Sequence, residues 1–353
     1  MDPPNEDRSK EAYLESDGIV CNVEDVSIAV KTLVSLQEEG HSCLFAIRSG
    51  GHSSWAGASS ILDGTVIDLS SLNTIELSTD KSTVSVGVGA TWGDVYKALD
   101  PQALSVNGGR AYGVGVGGLM LGSGLSHTSP RYGWICDTVS NFQVVLADGS
   151  VTNLGPTIIV LAIVELLVTS VTLAAFQQDL VWSGTLYHLP SYAEDVIKEF
   201  VKVNSTGSYD EYASVMTTFA YVQARGMPMI SNLLAYTKEV EGTRATFEGF
   251  LAMPSVYKAT SVTNMTNLSI ETEALNRGGV STSRELLQGI NTAAKDLDGF
   301  DPYIFMNYAD KDQDVIGSYG AVIVNKLRQV RQVIDPKGTF TYHVPGGYKV
   351  PDS

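Results

Sequence analysis

The sequence predicts an α+β protein with more than one domain, and three observations support this class. With 353 residues, 44% of them hydrophobic, the chain exceeds one average domain and can bury a large core. Strand patterns are concentrated in the first 155 residues, whereas mixed and helical patterns follow residue 170. Gly is also abundant, with 34 residues, which indicates backbone that must bend or approach another group closely.

The first elements follow from hydrophobic spacing and capping residues. Hydrophobic residues recur at helical spacing between Asn22, which suits a helix N-cap, and Gly40, which suits a helix end. The segment CLFAI, residues 43–47, predicts a short buried strand. TVIDLS and STVSVGVGA, which begin at residues 65 and 82, predict two more strands with a turn around Asp80 and Lys81 between them.

Capping and turn residues also define the next elements. Thr91 begins a helix, with Asp94 three residues later as a variant of the capping box. Residues 141–154, NFQVVLADGSVTNL, predict a hairpin in which Asp148 and Gly149 suit a two-residue turn.

The second half is patterned less regularly. TLYHL, residues 185–189, predicts a strand, and a helix is expected over residues 190–203. DPYIFMNYAD, residues 301–310, predicts a strand, and a helix is expected over residues 318–334. Asp335, Pro336 and Gly338 would end that last helix.

The charge excludes several classes of partner. A net charge of −16 repels phosphate backbones and anionic lipid, so no nucleic-acid or membrane partner is expected. The apolar run of residues 157–175 is nearly long enough to cross a membrane, but it contains Glu165, is rich in β-branched residues and has no basic flank. We interpret it as a buried strand or helix.

The sequence contains little evidence for a metal site or for secretion. The three cysteines have no CxxC spacing, and His41, Cys43 and His52 fit no common metal site, so no metal is expected. Three N-x-S/T sequons favour a secreted glycoprotein, although the polar N-terminus has no signal peptide. The sequons begin at Asn204, Asn264 and Asn267.

Two stretches are unusual. RSGGHSSWAG, residues 48–57, places His52 directly after two glycines and among small residues. A polar surface turn is one interpretation, and a loop against which a large planar group lies is the other. VNGGRAYGVGVGGLMLGSGLSH, residues 106–127, holds eight glycines between Gly108 and Gly124.

The glycine-rich stretch contains a G-x-G-x-x-G match at Gly113, Gly115 and Gly118, with Asp137 downstream. We reject a Rossmann site here because no hydrophobic strand precedes these glycines and no βαβ unit encloses them. An extended backbone cradle for an anion such as a pyrophosphate fits better, because its N–H groups are not shielded by a Cβ. The open alternative is a seam of small packing residues.

Together these stretches resemble one family. RSGGHS, VGVGATWGDVYKAL, the GGxxxxVGVGGLxLGxG segment and the ADG hairpin occur in the order and spacing of the FAD-linked oxidases of the vanillyl-alcohol oxidase type, whose FAD-binding domain is PCMH-type. The likeness is greatest to the berberine-bridge-enzyme-like branch common in fungi and plants, which also has the NYAD and VPGG segments. It is dense over residues 20–155 and 300–350 and loose between them.

This resemblance implies a PCMH-type FAD-binding domain of two subdomains over residues 15–175. A shortened antiparallel sheet-and-helix substrate domain would follow over 176–300, and residues 301–353 would return to the FAD domain. FAD is the implied cofactor, joined to His52 by one covalent link, because Ala111 stands where many relatives carry a second linking cysteine. The implied cofactor-binding residues are Arg48, Ser49, Gly50, Gly51, His52, Ser53, Ala111, Val114, Gly115, Gly117, Gly118, Gly122, Val168, Asn307 and Tyr308.

The resemblance also implies an oxidase reaction. Hydride would pass from a small alcohol, sugar or secondary metabolite to the flavin, and molecular oxygen would then be reduced to hydrogen peroxide. Val114 matches a position where a small aliphatic residue is associated with access of oxygen. Tyr308 is the implied catalytic base, provided that a partner assists it, and core packing is its alternative role. We expect a monomer.

Two departures from the family pattern favour a second interpretation. The family's glycine-rich stretch after the ADG hairpin is replaced here by residues 157–167, and the pattern resumes at about Val168. The region between Asn264 and Asp301 is too short for the expected strands of the substrate domain, which leaves open sheet edges. The chain could therefore be a catalytically silent FAD-binding remnant.

Overall fold

Three β-sheets organise the protein, which is described here by a computed structural model. The structure describes residues 17–53, 55–155, 167–205, 207, 209–222, 226–238, 243–276, 291–296 and 300–352. The sheets contain three, six and four strands. The α+β fold class predicted from the sequence is confirmed.

The first sheet is parallel and has the order β1-β3-β2. Its strands are β1 (Asp17–Ile19), β2 (Phe45–Arg48) and β3 (Thr65–Asp68). Helix α1 (Val23–Glu38) follows β1 and has the predicted N-cap. The Asp25 backbone N–H donates to the Asn22 side chain at 2.9 Å, and the Asn22 N–H donates back to the Asp25 carboxylate at 3.2 Å. This reciprocal pair satisfies two amides that a helix start leaves without partners.

The second sheet has six strands, of which two were not predicted. Its main path has the order β4-β5-β9-β7-β8, and β6 also pairs with β9. The strands are β4 (Ile75–Leu77), β5 (Thr83–Gly87), β6 (Leu104–Val106), β7 (Val139–Val145), β8 (Val151–Leu154) and β9 (Leu167–Gln177). The prediction missed β4, which pairs with β5 across the predicted turn, and β6, which pairs with β9. Three residues are too few to show an alternating pattern.

Short helices and a hairpin accompany this sheet. The helices are α2 (Trp92–Leu99), α3 (Val116–Leu121) and α4 (Ser129–Tyr132), with one-turn 3₁₀ helices at Asp100–Gln102 and Ile135–Thr138. Thr91 caps α2 as predicted, because its side chain accepts from the Asp94 N–H. The hairpin β7–β8 also forms as predicted, but Val145 pairs with Val151, so five residues connect the strands rather than two.

Strand β9 contains the second half of the apolar run that we interpreted as buried. Residues 167–175 of that run lie in β9, where Leu167, Val171 and Leu173 are at most 1% exposed. Residues 157–166 lie outside the described residues, and so do residues 277–290 and 297–299 of the short region 264–301. Within the part of the chain that the structure covers, no helix has the length and apolar character needed to cross a membrane.

The third sheet is antiparallel and has the order β11-β12-β10-β13. Its strands are β10 (Val181–His188), β11 (Ala213–Val222), β12 (Met227–Tyr236) and β13 (Tyr257–Thr263). Four helices of this region follow or interrupt the strands: α5 (Ala193–Asn204), α6 (Thr243–Thr246), α7 (Glu248–Ala252) and α8 (Met265–Asn276), with a 3₁₀ turn at Pro190–Tyr192. A separate core of Trp182, Leu186, Val196 and Phe250 lies under this sheet.

The C-terminal segment corrects one prediction. Residues 301–310 form no strand; they run as an irregular segment with a 3₁₀ turn at Met306–Tyr308. Their aromatic side chains pack instead of alternating across a sheet, and the Phe305 ring stacks on Trp134 with centroids 5.1 Å apart. The Ile304 N–H donates to the Ser318 hydroxyl at 3.0 Å rather than to a neighbouring strand. Tertiary packing thus overrides the strand propensity of this sequence.

The chain ends in helices α9 (Val315–Ser318), α10 (Ala321–Ile334) and α11 (Thr339–Tyr342). Helix α10 agrees with the predicted helix, and Gly338 after it has a φ of +67°, which suits glycine. The main core includes residues of the first two sheets and of α2, and Phe340 of α11 belongs to it. The segment 301–352 therefore returns to the first part of the chain and helps to enclose the site described next.

Candidate active site

A cavity of about 650 Å³ lies where three loops meet. The loops are residues 49–53 after β2, residues 110–122 around α3, and the C-terminal residues 305–309 and 344–349. Fourteen of the fifteen residues predicted to bind a cofactor line this cavity: Ser49, Gly50, Gly51, His52, Ser53, Ala111, Val114, Gly115, Gly117, Gly118, Gly122, Val168, Asn307 and Tyr308. The size is in the usual range for small-molecule sites.

The first two loops cross each other in direct contact. A β-carbon on Gly50 would lie 2.6 Å from the Cα of Gly115, closer than two such atoms can approach, so both positions require glycine. The Ser49 hydroxyl fixes the crossing because it donates to the Val88 carbonyl at 2.6 Å. Gly51 follows with a φ of +62°, which turns the chain toward the cavity.

Backbone amides of the first loop are available to a ligand. Within the described residues, the N–H groups of Gly50, Gly51 and His52 donate to no protein acceptor. Because successive free N–H groups form an anion-binding surface, this loop suits a phosphate or a similar group.

The glycine-rich loop is held against the six-stranded sheet. The Val116 N–H donates to the Ala90 carbonyl at 3.0 Å, and the Gly117 N–H donates to the Val88 carbonyl at 3.4 Å. At Gly118, in contrast, an added β-carbon would meet no atom within 4 Å, although this residue lines the cavity. Gly118 therefore presents open backbone to whatever fills the cavity.

Other glycines of this stretch are packing residues. Added β-carbons on Gly108 and Gly109 would collide with the ring of Trp92, which is fully buried. Gly124 has a φ of +75° and lies against Ile135. The stretch thus combines the two alternatives left open by the sequence: its outer glycines form a packing seam and its central glycines line the cavity.

Arg48 is the predicted site residue that the cavity does not include. Its guanidinium forms an ion pair with the Asp68 carboxylate across the parallel sheet. Burial of Asp68 raises the pKa of its carboxyl, but the hydrogen bonds from Arg48 and Ser70 outweigh this and hold the pKa below its ordinary value. Arg48 therefore joins strands at the base of the loop, and its side chain does not contribute to the cavity wall.

Asn307 lines the cavity, and its amide also holds the segment 301–310 in place. Its Oδ1 accepts from the Gly124 N–H at 3.2 Å, and its Nδ2 donates to the Leu119 carbonyl at 3.1 Å. Both ends of the amide are thus used on the glycine-rich loop. This side chain positions the segment that carries Tyr308.

Tyr308 has a cationic hydrogen-bond partner. The Arg110 guanidinium donates a hydrogen bond to its hydroxyl, and the guanidinium carbon lies 5.9 Å from the centre of the Tyr308 ring. The Phe305 ring meets Tyr308 edge-on with centroids 5.2 Å apart. The tyrosine side chain is 69% exposed, so core packing does not account for it.

Several lining residues were missed by sequence reasoning. Met216 of β11 and Thr272 of α8 reach the cavity from the third sheet and its helix, and Arg110, Phe305, Tyr348 and Lys349 also line it. Arg110 lies inside the glycine motif, and Tyr348 and Lys349 directly follow the VPGG segment, so these motifs could have marked them. Met216 and Thr272 have no local signal in the sequence.

The buried residue His127 does not line the cavity but contacts Thr272, which does. His127 is 2% exposed, and its two ring nitrogens lie 3.3 Å from the hydroxyls of Ser214 and Thr272. Burial, together with the nearby Arg110 cation, lowers its pKa to about 3. His127 is therefore a neutral packing residue that connects the glycine-rich loop with β11 and α8.

Comparison with known proteins supports a flavin site. The protein family described as "FAD binding domain" matches residues 20–155. A protein of Diaporthe leptostromiformis named oligopeptidase PhomG' is 42% identical over 93% of this chain, but the chain spans only 34% of that relative's length. The FAD-dependent monooxygenase tpcD of Cochliobolus heterostrophus is 28% identical over 91% of this chain and 82% of its own length.

Solved structures show the same fold. The 6-hydroxy-D-nicotine oxidase of Arthrobacter nicotinovorans superposes with a TM-score of 0.77 at 15% identity, over 99% of this chain and 97% of its own. The berberine bridge enzyme superposes with a TM-score of 0.68 at 16% identity, over 92% of this chain and 87% of its own.

The residues of the cavity fit FAD. The free amides of Gly50 and Gly51 and the open backbone at Gly118 offer an unshielded surface to the diphosphate. Apolar residues such as Leu119, Val168 and Phe305 offer surfaces to a flat ring system. Residues 20–155 thus match an FAD-binding domain, and the chain has the fold of the berberine-bridge-enzyme-like oxidases.

Proposed function

We propose that the protein is an FAD-dependent oxidase that takes hydride from a small alcohol, sugar or secondary metabolite and holds its FAD covalently through His52. The observation that carries this proposal is the convergence of His52, the glycine backbone and the Arg110–Tyr308 pair on one cavity. A nucleotide cradle and a polar pair suited to proton transfer therefore lie in one place.

The surroundings of His52 support a covalent link. Its side chain is exposed at the cavity, and within the described residues it has no hydrogen-bond partner. A ring nitrogen is therefore free to form a bond. None of the described residues that line the cavity is a cysteine, since position 111 holds alanine, and this supports a single link.

When bound, FAD would accept hydride from the substrate and pass the electrons to oxygen, giving hydrogen peroxide. Tyr308 is the proposed base that takes the proton of the substrate hydroxyl. The Arg110 guanidinium would stabilise the negative charge that develops on the phenolic oxygen, because a charge-assisted hydrogen bond already joins the two groups. Val114 lines the cavity beside the glycines and would leave space for oxygen.

The covalent link is tested by acid precipitation. Purified wild-type protein should give a yellow pellet, and His52→Ala should give a colourless pellet while its soluble form still binds FAD. Flavin absorbance and the mass of the denatured chain measure this outcome. A wild-type pellet without flavin would contradict the covalent link.

The oxidase reaction is tested by peroxide release and by labelled oxygen. Turnover of an alcohol substrate should give hydrogen peroxide in proportion to product, with no label in the product. Tyr308→Phe should lower turnover by about 10²–10⁴-fold, as is typical when a general base is lost, and should leave the flavin bound. Label in the product would indicate a monooxygenase, which is how several relatives are named.

A second candidate is a catalytically silent FAD-binding remnant. The alignments with two relatives run over 441 and 430 positions, more than the 353 residues of this chain, so the relatives contain stretches without a counterpart here. The third sheet also exposes Tyr257 and Val262 on β13 and Tyr221 on β11. A flavin-containing protein that turns over no substrate in a broad panel would favour this candidate.

A further inference from the structure

We propose that the substrate of this site carries an anionic oxygen, either a carboxylate or an ionised phenol, on an apolar aromatic frame, and that Arg110 binds this anion. The proposal rests on the oxidase function proposed above. It narrows the substrate class and assigns Arg110 a role in specificity.

The charge of the cavity is opposite to that of the protein. The chain has 39 acidic residues and a net charge of −16, yet among the described residues that line the cavity none is Asp or Glu. Arg110 and Lys349 are its basic residues other than His52. An acidic protein with a positively charged cavity attracts an anion there and not elsewhere on its surface.

Of the two basic residues, Arg110 has N–H donors left to bind a substrate anion. A guanidinium has five N–H donors, and within the described residues those of Arg110 have one acceptor, the Tyr308 hydroxyl. Lys349 differs because its ammonium donates to the Phe340 carbonyl at 2.8 Å. Arg110 therefore keeps donors for a carboxylate or phenolate oxygen, beside the tyrosine that we propose as the base.

The position of Arg110 points to the substrate rather than to the nucleotide. The Tyr112 N–H, two residues after Arg110, donates to the Ser269 carbonyl of helix α8 at 3.1 Å. Arg110 thus lies in the part of the glycine-rich loop that contacts α8, the helix that reaches the cavity from the third sheet. The free amides of the first loop, which suit the diphosphate, belong to a different segment, and Gly118 lies on helix α3, eight residues after Arg110.

The surroundings of Arg110 favour an aromatic frame over a sugar. Phe305 packs against Tyr308, and Met216 and Leu125 line the same cavity. A sugar requires several polar side chains for its hydroxyls, whereas the third sheet and its helix contribute one methionine and one threonine among the described lining residues. An anionic oxygen bound by Arg110 would thus keep the aromatic frame against these apolar side chains.

The proposal is tested by binding of matched probes to the purified holoenzyme, followed through the flavin absorbance. The carboxylate probe is 4-hydroxybenzoate, compared with neutral 4-hydroxybenzamide. The phenolate probe is 4-nitrophenol, measured where it is ionised and compared with neutral 4-nitroanisole. We expect at least one anion to bind about tenfold or more tightly than its neutral partner, as for a charge-assisted hydrogen bond.

Variants assign the preference to Arg110. Arg110→Gln should remove the preference for the anion, and Arg110→Lys should keep part of it. Tyr308→Phe should retain it, because the cation remains. Lys198→Gln, an exposed charge on helix α5, should also retain it and controls for the change in net charge.

The two anions identify which oxygen the site prefers, and either preference supports the proposal when Arg110→Gln removes it. Equal binding of anion and neutral partner, a preference that persists in Arg110→Gln, or no binding of either anion at millimolar concentration would overturn it. These failures leave the flavin in the acid-precipitated pellet. A colourless wild-type pellet instead indicates that the proposed covalent flavin is wrong.

Discussion

The side-chain amide of Asn307 packs so closely against Gly122 that a β-carbon at that glycine would overlap with it. The same amide bonds with the Gly124 N–H and with the Leu119 carbonyl. The C-terminal segment is therefore docked on the glycine-rich loop through a contact that only glycine permits. This contact sets the distance between Tyr308 and Arg110, which come from these two segments.

We expect Gly122→Ala to displace Asn307 and to lower the free energy of unfolding by about 1–3 kcal/mol, because the added methyl group has no space. Chemical denaturation measures the loss. Gly118→Ala is the matched control, since a β-carbon there meets nothing within 4 Å. It should leave protein stability unchanged and reduce flavin content. Equal stability of the two variants would contradict the docking role of Asn307.

His127 makes stability depend on pH. Burial and the Arg110 charge lower its pKa from 6.5 to about 3, so below pH 6.5 the unfolded chain binds a proton that the folded protein does not. The free energy of unfolding should therefore fall as pH falls from 6.5 toward 3, by up to about 1.4 kcal/mol per pH unit from this residue. Above pH 6.5 its contribution is constant.

The measurement is urea unfolding at neutral pH and at about pH 5, where this residue alone should remove about 2 kcal/mol. His127→Gln loses the bonds to Ser214 and Thr272 and should be less stable at neutral pH. Its stability should change less between the two conditions than that of the wild type. An identical pH dependence in both proteins would show that His127 is not held neutral.

The Arg48–Asp68 pair should affect stability and not flavin content. Both side chains are mostly buried, with relative exposures of 21% and 15%. Arg48→Met should lower the free energy of unfolding by about 1–2 kcal/mol, less than for a fully buried pair because solvent screens the charges. The pair stabilises above the ordinary pKa of Asp68, and this contribution is lost as the pH falls through the lowered pKa of the folded state.

Thermal or urea unfolding of Arg48→Met measures this loss, and flavin absorbance per mole of folded protein is the second readout. Asp68→Asn is the matched variant that removes the other charge. We expect both variants to retain flavin. A stable Arg48→Met protein that lacks flavin would show instead that Arg48 binds the cofactor, as the sequence motif predicts.

The sequence predicted those site residues whose motif is local. His52 and its flanking glycines lie within six residues, and the loop from Ala111 to Gly122 is also continuous. Arg110 and Tyr308 are 198 positions apart, and only the docking of the C-terminal segment brings them together. The placement of Met216 and Thr272 at the cavity likewise depends on sheet order and helix packing, which a short sequence pattern does not predict.

The same distinction applies to the elements. Helix α1 and its cap were predicted because the helical spacing of its hydrophobic residues and the Asn22 cap are local features of the sequence. The segment 301–310 was predicted as a strand, since its aromatic and aliphatic residues suit one. Its conformation is set by Trp134 and by the glycine-rich loop, which are distant in sequence. Secondary-structure propensity describes neighbouring residues only, so it could not predict these contacts.

Ala111 occupies a position at which a cysteine could reach the flavin. It is 4% exposed and lines the cavity, and the sequence resemblance implies that many related oxidases carry a second flavin-linking cysteine at this position. A cysteine adds one sulfur atom to alanine, a small change for a side chain that faces a cavity. We expect Ala111→Cys to form a second link to the flavin, so that protease digestion yields one flavin-bearing species that joins the His52 loop to the glycine-rich loop.

The sharper form of this test combines two substitutions. His52→Ala alone should release its flavin in acid, whereas His52→Ala with Ala111→Cys should retain it. Val114→Cys in the His52→Ala background is the control, because it places a thiol in the same cavity at another position. Acid-stable flavin in the Ala111→Cys double variant only would place position 111 against the flavin ring. Retention in neither double variant, from proteins that bind FAD before acid treatment, would contradict that placement.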